Sequence, residues 1–442
     1  MKYDIVIHNG TVITVNSEFD IIENGIVCIR GRRLVKIEAR TEPPDIPKAE
    51  KVIDAKGALI LPGLVNTHTH LPMTLFRGLA DDLPLHEWLE KYIFPAEAKH
   101  INPKTVKTAT RLACAEMILS GTTTCCDGYF FENEVARAVR DSGLRAILAQ
   151  GVIDFPAPGV RNPAENINHA SSYVKKWLAS SALITPSIFC HSPYTCATET
   201  LKKAKAAAVS NNVLFQIHAA ETKQEWDRMY AEHRQSPIHY LDRIGILDQN
   251  TLLVHCVWVD DADIDIIARR KAKVSHNPGS NMKLAAGIAP VQKLLKAGIP
   301  VGLGTDGSAS NNTLDLFGAM DMCAKLHKVH TLDPTAVDAK TVVRMATIGG
   351  ARSIGLEKDI GSLEVGKQAD LIVVDTHQPH LTPMYNPTSH LVYAASGSDV
   401  KTAIIGGRVV MEDGKLLSLN LNELLEKTAA IAESISSRGN QH

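Results

Sequence analysis

The stretch ALILPGLVNTHTH, residues 58–70, decides the fold of this chain. It is an apolar run that ends in two histidines, His68 and His70, with one threonine between them. Seven further strand-like runs follow, and helical stretches separate them. These runs cover residues 122–128, 145–154, 183–192, 213–221, 251–259, 273–281 and 301–307. Eight near-continuous apolar strands that alternate with helices predict an α/β fold, a parallel (β/α)8 barrel of the TIM type.

The intervening stretches have the features of helices. Residues 105–121 and 132–143 carry apolar residues at helical spacing, and each ends in glycine, which is a common helix stop. An open, doubly wound sheet is the alternative arrangement of the same elements. That fold usually carries a glycine-rich fingerprint after its first strand, and this sequence has none. The pattern therefore favours the barrel.

Both ends of the chain have a different character from the middle. Residues 1–57 and 363–416 read as β-strands broken by Asn-Gly and Gly-Arg turns, without helical periodicity. We expect these two parts to form one small β-sandwich domain beside a barrel that spans residues 58–362. Residues 417–442 are predicted to form a C-terminal helix and a polar tail.

Composition excludes several classes of partner. The 442 residues contain 47 Lys and Arg against 48 Asp and Glu, so the net charge of -1 gives no reason to expect binding to nucleic acid or to an anionic membrane. No apolar run reaches transmembrane length, and the first residues lack the hydrophobic stretch of a signal peptide. The eight cysteines form no Cys-x-x-Cys pair. We expect a cytoplasmic protein with free thiols.

Polar residues at the ends of the predicted strands form a coherent set. In this type of barrel the reactive groups lie at the carboxyl ends of the strands. Because side chains alternate along a strand, His68 and His70 point the same way. His218 ends the fifth strand, His255 the sixth, and Asp306 the eighth. A His-x-His pair alone is weak evidence, but imidazoles and a carboxylate at these ends suit zinc or a similar divalent ion with an open position for water.

Three further side chains extend this interpretation. Glu221 follows His218 by three residues, a place where a carboxylate can act as general acid or base without binding the metal. His255 is either a further ligand or a catalytic partner, and its spacing does not decide between them. The strand at 183–192 offers no Lys or Glu to bridge a second ion, so a single metal is favoured and His191 is free to contact a substrate.

Several motifs resemble those of the amidohydrolase superfamily, in particular its mononuclear deaminase branch. They are PGLVNTHTH (62–70), HAAET (218–222), the histidine of LLVHCV, GTDGSASNN (304–312) and GSLEVGKQADLIVVD (361–375). Within that branch, residues 79–101 and 189–196 are most similar to the deaminases of 5′-methylthioadenosine and S-adenosylhomocysteine. The resemblance covers essentially the whole chain, and the motifs are specific in combination.

The resemblance implies a role for each residue that matches. The implied metal ligands are His68, His70, His218 and Asp306. Glu221 matches the proton shuttle, and His255 matches the histidine that contacts the metal-bound water or the tetrahedral centre. The implied substrate contacts are Glu97, which reads the ribose hydroxyls, together with Arg161, His191, Glu221 and Asp306. One divalent ion per subunit is expected, and the imidazole-rich ligand set favours zinc over iron or manganese. The resemblance also implies a homo-oligomer (a dimer or tetramer).

The expected reaction is hydrolytic deamination of the adenine ring of these nucleosides, and of adenosine, to the inosine analogue and ammonia. The alternatives in the same superfamily are deamination of a free base (guanine, 8-oxoguanine or cytosine) and hydrolytic dechlorination of an s-triazine. Glu97 separates them, because a free base has no ribose to read. Another alternative is a non-catalytic protein that uses this barrel only for interactions. Such a protein should have lost metal ligands, whereas this chain keeps every expected ligand residue. The cytidine-deaminase zinc motifs are absent at the needed spacing.

Overall fold

The computed structural model describes residues 2–40 and 46–436, and its strands form two sheets. In chain order the strands are β1 (Tyr3–Ile13), β2 (Ile21–Arg30), β3 (Arg33–Ala39), β4 (Ala49–Asp54), β5 (Leu59–Pro62), β6 (Leu64–Thr69), β7 (Thr122–Tyr129), β8 (Arg145–Val152), β9 (Ile184–Cys190), β10 (Phe215–Ala219), β11 (Thr251–His255), β12 (Lys273–His276), β13 (Val301–Leu303), β14 (Leu371–Val374), β15 (Val400–Ile405), β16 (Arg408–Glu412) and β17 (Lys415–Leu416).

Helices fill the connections between strands. They are α1 (Leu85–Trp88), α2 (Phe94–His100), α3 (Pro103–Leu119), α4 (Glu132–Ser142), α5 (Asn166–Trp177), α6 (Thr198–Ser210), α7 (Lys223–His233), α8 (Pro237–Arg243), α9 (Asp261–Arg270), α10 (Pro278–Lys283), α11 (Val291–Lys296), α12 (Ser308–Asn311), α13 (Leu316–Thr331), α14 (Ala339–Met345), α15 (Ile348–Ser353), α16 (Pro387–Tyr393) and α17 (Leu421–Ser436). A π-helical turn, Leu89–Ile93, joins α1 to α2, and short 3-10 turns cover Leu71–Phe76, Pro163–Glu165, Pro379–Leu381 and Gly397–Asp399. None of the helices in the described ranges is both long enough and apolar enough to cross a membrane.

The eight strands β6 to β13 form the predicted parallel barrel. Each pairs with its neighbours in chain order. The first and last strands meet just beyond β13, where the backbone N–H of Asp306 donates to the carbonyl of His68 at 3.0 Å. The N–H of Thr305 also donates to Asn66 Oδ1, at 3.1 Å. These bonds bring two predicted metal-binding residues side by side at the barrel mouth.

The stretch 58–70 differs from the single strand that its sequence predicts. β5 pairs with β1 and β14 in the mixed sheet, whereas β6 begins the barrel. The chain changes sheets at Gly63, where a Cβ atom would lie 2.1 Å from the side chain of Thr123. Because the residues on both sides of Gly63 are apolar and buried, the hydrophobic pattern alone does not reveal the break.

The two chain ends come together in one small β-domain, as predicted. Over the described residues their strands pair in one nine-stranded mixed sheet. The long strand β1 allows this, because one of its edges pairs with β4 near its start and with β5 near its end. We predict the boundary between the β-domain and the barrel at residues 57 and 58, but β5 continues the mixed sheet beyond it. The predicted domain boundaries at residues 362 and 416 stay predictions. The tail predicted over 437–442 lies outside the described residues.

A buried ion pair fixes the sheet against the barrel. Arg145, the first residue of β8, donates from Nε and from a terminal nitrogen to the two carboxylate oxygens of Asp370, at 2.6 and 3.0 Å. The same carboxylate accepts the N–H of Gly406 at 2.6 Å. Bidentate pairing of this kind gives directional contact between a guanidinium and a carboxylate. The eight cysteines are all buried and free of disulfides.

Candidate active site

Four predicted metal ligands converge at the carboxyl end of the barrel. Asp306 Oδ1 lies 3.3 Å from His68 Nε2 and 3.4 Å from His70 Nε2. His218 Nε2 lies 3.1 Å from His68 Nε2. The His68 imidazole is fully buried, and the side chains of His70 and Asp306 are 13% and 8% exposed. Residues from β6, β10 and the end of β13 thus present ligand atoms to one small volume.

The hydrogen bonding of the cluster is that of a site for a cation. His70 Nδ1 donates to the carbonyl of Gly128 at 2.7 Å, so its Nε2 carries a lone pair that faces the Asp306 carboxylate. Burial lowers the pKa of His70, and it lowers the pKa of His68 to about 4, so both rings are neutral at pH 7. Lone pairs that face a carboxylate repel it unless a positive ion lies between them. The donor set of imidazoles and carboxylate is the one that zinc and similar ions prefer.

The carboxylate of Asp306 is held in place by its own neighbours. Ser280 and Ser310 donate hydroxyl hydrogen bonds to Oδ2 at 2.7 and 2.9 Å, and the N–H of Gly307 donates to Oδ1 at 2.8 Å. The Asp306 backbone has a φ of 63°, in the left-handed region that non-glycine residues seldom adopt. These three donated hydrogen bonds favour the ionised form of the Asp306 carboxylate. The group therefore stays ionised.

Glu221 lies beside this cluster, in the segment between β10 and α7. Its Oε1 is 3.7 Å from His255 Nε2, and the residue is 8% exposed. Burial raises the pKa of Glu221 to about 8, and the negative charge of Asp306 adds to this shift. Two carboxyl groups in one pocket therefore have opposite states at neutral pH, since Asp306 is ionised and Glu221 is protonated. That division suits one group to accept a proton and the other to donate one.

The sequence reasoning missed Glu225, which holds Glu221 in place. Its buried carboxylate accepts the backbone N–H of Ala220 at 2.8 Å and that of Glu221 at 2.7 Å. Ala220 has a φ of 55°, so the chain is bent at this point. A Thr-x-x-Glu pattern at Thr222, the N-cap of α7, is a helix-start signal that could have drawn attention to Glu225. Its contacts with residues before the cap are visible only in three dimensions.

Replacing Glu225 with Gln should lower kcat without loss of metal. The amide has one acceptor oxygen in place of two, so one of the two backbone N–H groups loses its partner and Glu221 is less well fixed. We expect kcat to fall by about 10- to 100-fold, as for other residues that orient a catalytic group. Steady-state kinetics and metal analysis check this. Glu232→Gln, an exposed change on the same helix, is the matched control, and an unchanged kcat in Glu225→Gln would contradict the positioning role.

His255 occupies the end of β11 with its Nε2 towards the cluster. Asn281 Oδ1 lies 2.8 Å from Nδ1, so Nδ1 carries the hydrogen and Nε2 is an acceptor. Ring nitrogens of His255, His68 and His218 all lie within 4.8 Å of one another. The ring is thus placed to accept a hydrogen bond from a molecule held at the cluster. Burial lowers its pKa, which keeps the ring neutral.

A cavity with room for about 110 Å³ of solvent lies in front of these groups. His70, His218, Glu221, His255 and Asp306 form its polar part. The remaining wall is mainly apolar and aromatic, and comes from the segment 85–98 and from loops that follow β8 and β9.

Two of the three other predicted substrate contacts line this cavity. Glu97, on α2, is 5% exposed and accepts a hydrogen bond from the Tyr129 hydroxyl. Burial raises its pKa to about 7. The His191 ring packs edge-on against His218, and its Nδ1 lies 3.0 Å from Thr195 Oγ1. Arg161 is not brought to the cavity, because it is exposed on the loop after β8. Its contact with a substrate stays a prediction.

A second group of possible metal ligands lies outside the cavity. His276, at the end of β12, and Cys323 and His327, on α13, are buried, and their ligand atoms lie within 4.8 Å of one another. The two imidazole Nε2 atoms are 3.2 Å apart. The sequence reasoning did not single out these residues, although the Cys-x-x-x-His spacing places two of them on one face of a helix.

Comparison with known proteins agrees with this geometry. The model of the amidohydrolase family matches residues 59–410, which cover the whole barrel. The chain belongs to the amidohydrolase family. It is therefore a hydrolase. The group of His68, His70 and Asp306 at the barrel mouth could hold a metal ion, as expected from a similar structure with bound zinc.

Relatives of this amidohydrolase span nearly its full length. A 5-methylthioadenosine/S-adenosylhomocysteine deaminase of Syntrophobacter fumaroxidans is 48% identical over 98% of this chain and 99% of its own. A 5′-deoxyadenosine deaminase of Methanosarcina mazei is 44% identical over 99% of each chain. The crystal structure of an adenosine deaminase of Xanthomonas campestris with bound zinc superposes with a TM-score of 0.96, at 35% identity and 99% coverage of each chain.

Proposed function

We propose that this amidohydrolase removes the 6-amino group from the adenine ring of 5′-methylthioadenosine, S-adenosylhomocysteine and adenosine, and releases the inosine analogue and ammonia. The single observation that carries the proposal is that the carboxyl groups of Asp306 and Glu221 line one cavity beside the imidazole cluster at the barrel mouth. Deamination needs a proton acceptor for water and a proton donor for the ring nitrogen beside the reacting carbon, and these two groups supply both.

One divalent ion per subunit, with zinc favoured, would be held by His68, His70, His218 and Asp306. When bound, such an ion makes a water molecule acidic enough to attack at neutral pH. The ligand set contains no thiolate, and its three neutral imidazoles with one carboxylate would leave a net charge of +1 on the occupied site. The fully buried His68 is the ligand most protected from solvent.

The side chains of the cavity account for the proton movements. Asp306 takes one proton from the attacking water, while Glu221 donates its proton to N1 of the purine as the oxygen bonds to C6. His255 Nε2 accepts a hydrogen bond from the hydroxyl now on C6. That hydroxyl returns a proton to Glu221, and Asp306 passes its proton to the amino group. The C6–N bond then breaks, ammonia leaves, and both carboxyl groups regain their starting states.

Glu97 supports a nucleoside substrate over a free base. It is a buried carboxyl group that lines the cavity, with the Tyr129 hydroxyl as one partner. A carboxylate accepts hydrogen bonds at both oxygens, so it can bind the two hydroxyls of a ribose. Guanine, cytosine and s-triazines have no ribose hydroxyls to bind Glu97, which would keep only the Tyr129 hydroxyl as its partner, and this disfavours them.

Replacing Glu97 with Gln should weaken the recognition of ribose and leave the chemistry at the ring intact. The loss of charge-assisted hydrogen bonds is expected to lower kcat/KM for adenosine about 10- to 200-fold, mainly through KM. Turnover of 2′,3′-dideoxyadenosine, which lacks both hydroxyls, should change little and serves as the matched control. Equal losses for both nucleosides would show that Glu97 does not read the hydroxyls.

The pKa of Glu221 predicts how the rate depends on pH. A donor must be protonated, and burial raises the pKa of this group to about 8, so its acid form is present below that pH and lost above it. We therefore expect kcat/KM to fall as the pH rises through about 8. The adenine ring does not titrate in that range. A rate that rises through the same interval would contradict the assignment of Glu221 as the proton donor.

Ammonia release from a panel of substrates tests the proposed function as a whole. Metal-replete protein should release ammonia from adenosine derivatives and leave guanine, cytosine and s-triazines unchanged. A preference for a free base or a triazine would contradict the proposal. A cytoplasmic location and a homo-oligomeric state remain predictions, and size-exclusion chromatography with light scattering would determine the second of these.

A further inference from the structure

His70 lies at a change of backbone structure, directly after β6 and before the 3-10 turn Leu71–Phe76. Its side chain caps no N–H group of that turn, and its Nδ1 donates to the carbonyl of Gly128. The first N–H of the turn, that of Leu71, donates instead to Asp127 Oδ1 at 2.6 Å. Asp127 and Gly128 are adjacent residues of β7. This strand therefore fixes both the ring of His70 and the backbone that follows it.

The Asp127 carboxyl group is hydrogen-bonded to a second carboxyl group, that of Glu132 at the start of α4. Both residues are fully buried. Apart from Glu132, no group in the described ranges donates a hydrogen bond to Asp127 Oδ2. Two carboxyl groups can bond to each other only when one of them carries a proton, since two ionised groups would repel each other. One proton therefore holds the pair together.

Glu132 is the partner that carries this proton. Burial raises the pKa of Glu132 well above its usual range, and the neighbouring Asp127 adds to the shift. The Leu71 N–H favours the ionised form of Asp127, because a carboxylate is the stronger acceptor. The other side chains whose pKa the pair affects are thiols and phenols, which burial keeps neutral; they are Cys114, Cys125, Cys126, Tyr129 and Tyr173.

We infer that Asp127 and Glu132 position the proposed metal ligand His70: Asp127 holds the backbone directly after His70, and the proton of Glu132 holds Asp127. The inference rests on the proposed function, in which His70 binds the ion, and adds two positioning residues that are not ligands. Without its acceptor, the buried Leu71 N–H would be unsatisfied and the turn would shift to find a partner. Such a shift moves the His70 imidazole relative to the other proposed ligands and weakens the site.

The zinc affinity of metal-free protein, measured by competition with a chelator, tests this role apart from turnover. Asp127→Leu has nearly the same shape and removes the acceptor of the Leu71 N–H, whereas Glu132→Met removes the proton donor. Each should raise the Kd for zinc about 10- to 100-fold. The absorption of bound cobalt(II) should also change, because it reports ligand geometry. Asp127→Asn keeps an acceptor and Glu132→Gln keeps a donor, so each should bind zinc within about threefold of the wild type.

Val139→Ala is the control for a loss of stability alone. Val139 is apolar and buried on the same helix as Glu132, so its truncation should lower Tm and leave the Kd for zinc unchanged. If Val139→Ala raised the Kd as much as Asp127→Leu did, for the same loss in Tm, the effect would be one of stability and the inference would be wrong.

Wild-type zinc affinity in either Asp127→Leu or Glu132→Met would overturn the inference. Equal losses in Glu132→Met and Glu132→Gln would do the same, because the donated hydrogen bond would then have no effect. If Asp127→Leu does not fold, the two Glu132 variants decide the question. A His70→Ala variant that keeps wild-type zinc affinity would instead contradict the proposed ligand set, so the two failures are distinguishable.

Discussion

Glu221→Gln is expected to lower kcat by about 1,000- to 10,000-fold, the upper part of the range for loss of a general acid. The amide has nearly the shape of the protonated carboxyl group, so the cavity should keep its form. It cannot release a proton to N1 of the purine or take one back from the hydroxyl on C6. Because Glu221 is not among the proposed ligands, metal content should remain at one equivalent.

For the Glu221→Gln variant, single-turnover kinetics measure the chemical step, and binding measurements show whether the affinity for a nucleoside has changed. The affinity for an unreactive nucleoside such as inosine should stay within about threefold of the wild type. The substitution removes proton transfer in the transition state and leaves the contacts that bind the nucleoside. The fall in rate with rising pH should also disappear, because the group that titrates at about pH 8 is gone. A variant with nearly native kcat would mean that another group donates the proton.

Asp306→Asn is expected to reduce kcat/KM by at least about 10,000-fold, because one substitution removes a proposed ligand and the acceptor of the proton from water. The amide is neutral and carries hydrogens on one of its two end atoms. Hydrogens there would point at imidazole nitrogens or at the serine hydroxyls that now donate to Oδ2. Metal content should fall well below one equivalent after dialysis.

Ser310→Ala is the matched control for that change. It removes one hydrogen bond of 2.9 Å to Asp306 Oδ2 and leaves the carboxylate in place. Loss of a single supporting bond should cost about 10- to 100-fold in metal affinity or activity. If Asp306→Asn retained both metal and turnover, Asp306 would be neither the ligand nor the base.

The barrel, and the side chains that lie together at its mouth, were predictable because both follow from the order of residues within short segments of the chain. Each parallel strand is buried on both faces, so its apolar run stands out, and the polar residues that follow it mark the barrel mouth. His68, His218 and Asp306 follow from that rule alone. The rule also places Glu221 and His191, since both come directly after strand ends.

Features that depend on packing between distant segments were not predictable. The change of sheet at Gly63 follows from contact with Thr123, and nothing in the run 58–70 shows that contact. The support of Glu221 by Glu225 depends on a bend at Ala220. The loop that holds Arg161 has no periodic pattern to constrain it, so the position of Arg161 outside the cavity lining could not be predicted from the sequence.

Anomalous X-ray diffraction from crystals of the zinc-replete, active enzyme tests the central claim most directly. The account predicts one peak at the barrel mouth, about 2.0–2.2 Å from ligand atoms of His68, His70, His218 and Asp306. A single peak between His276, Cys323 and His327, or an active crystal with no metal at the barrel mouth, would contradict it.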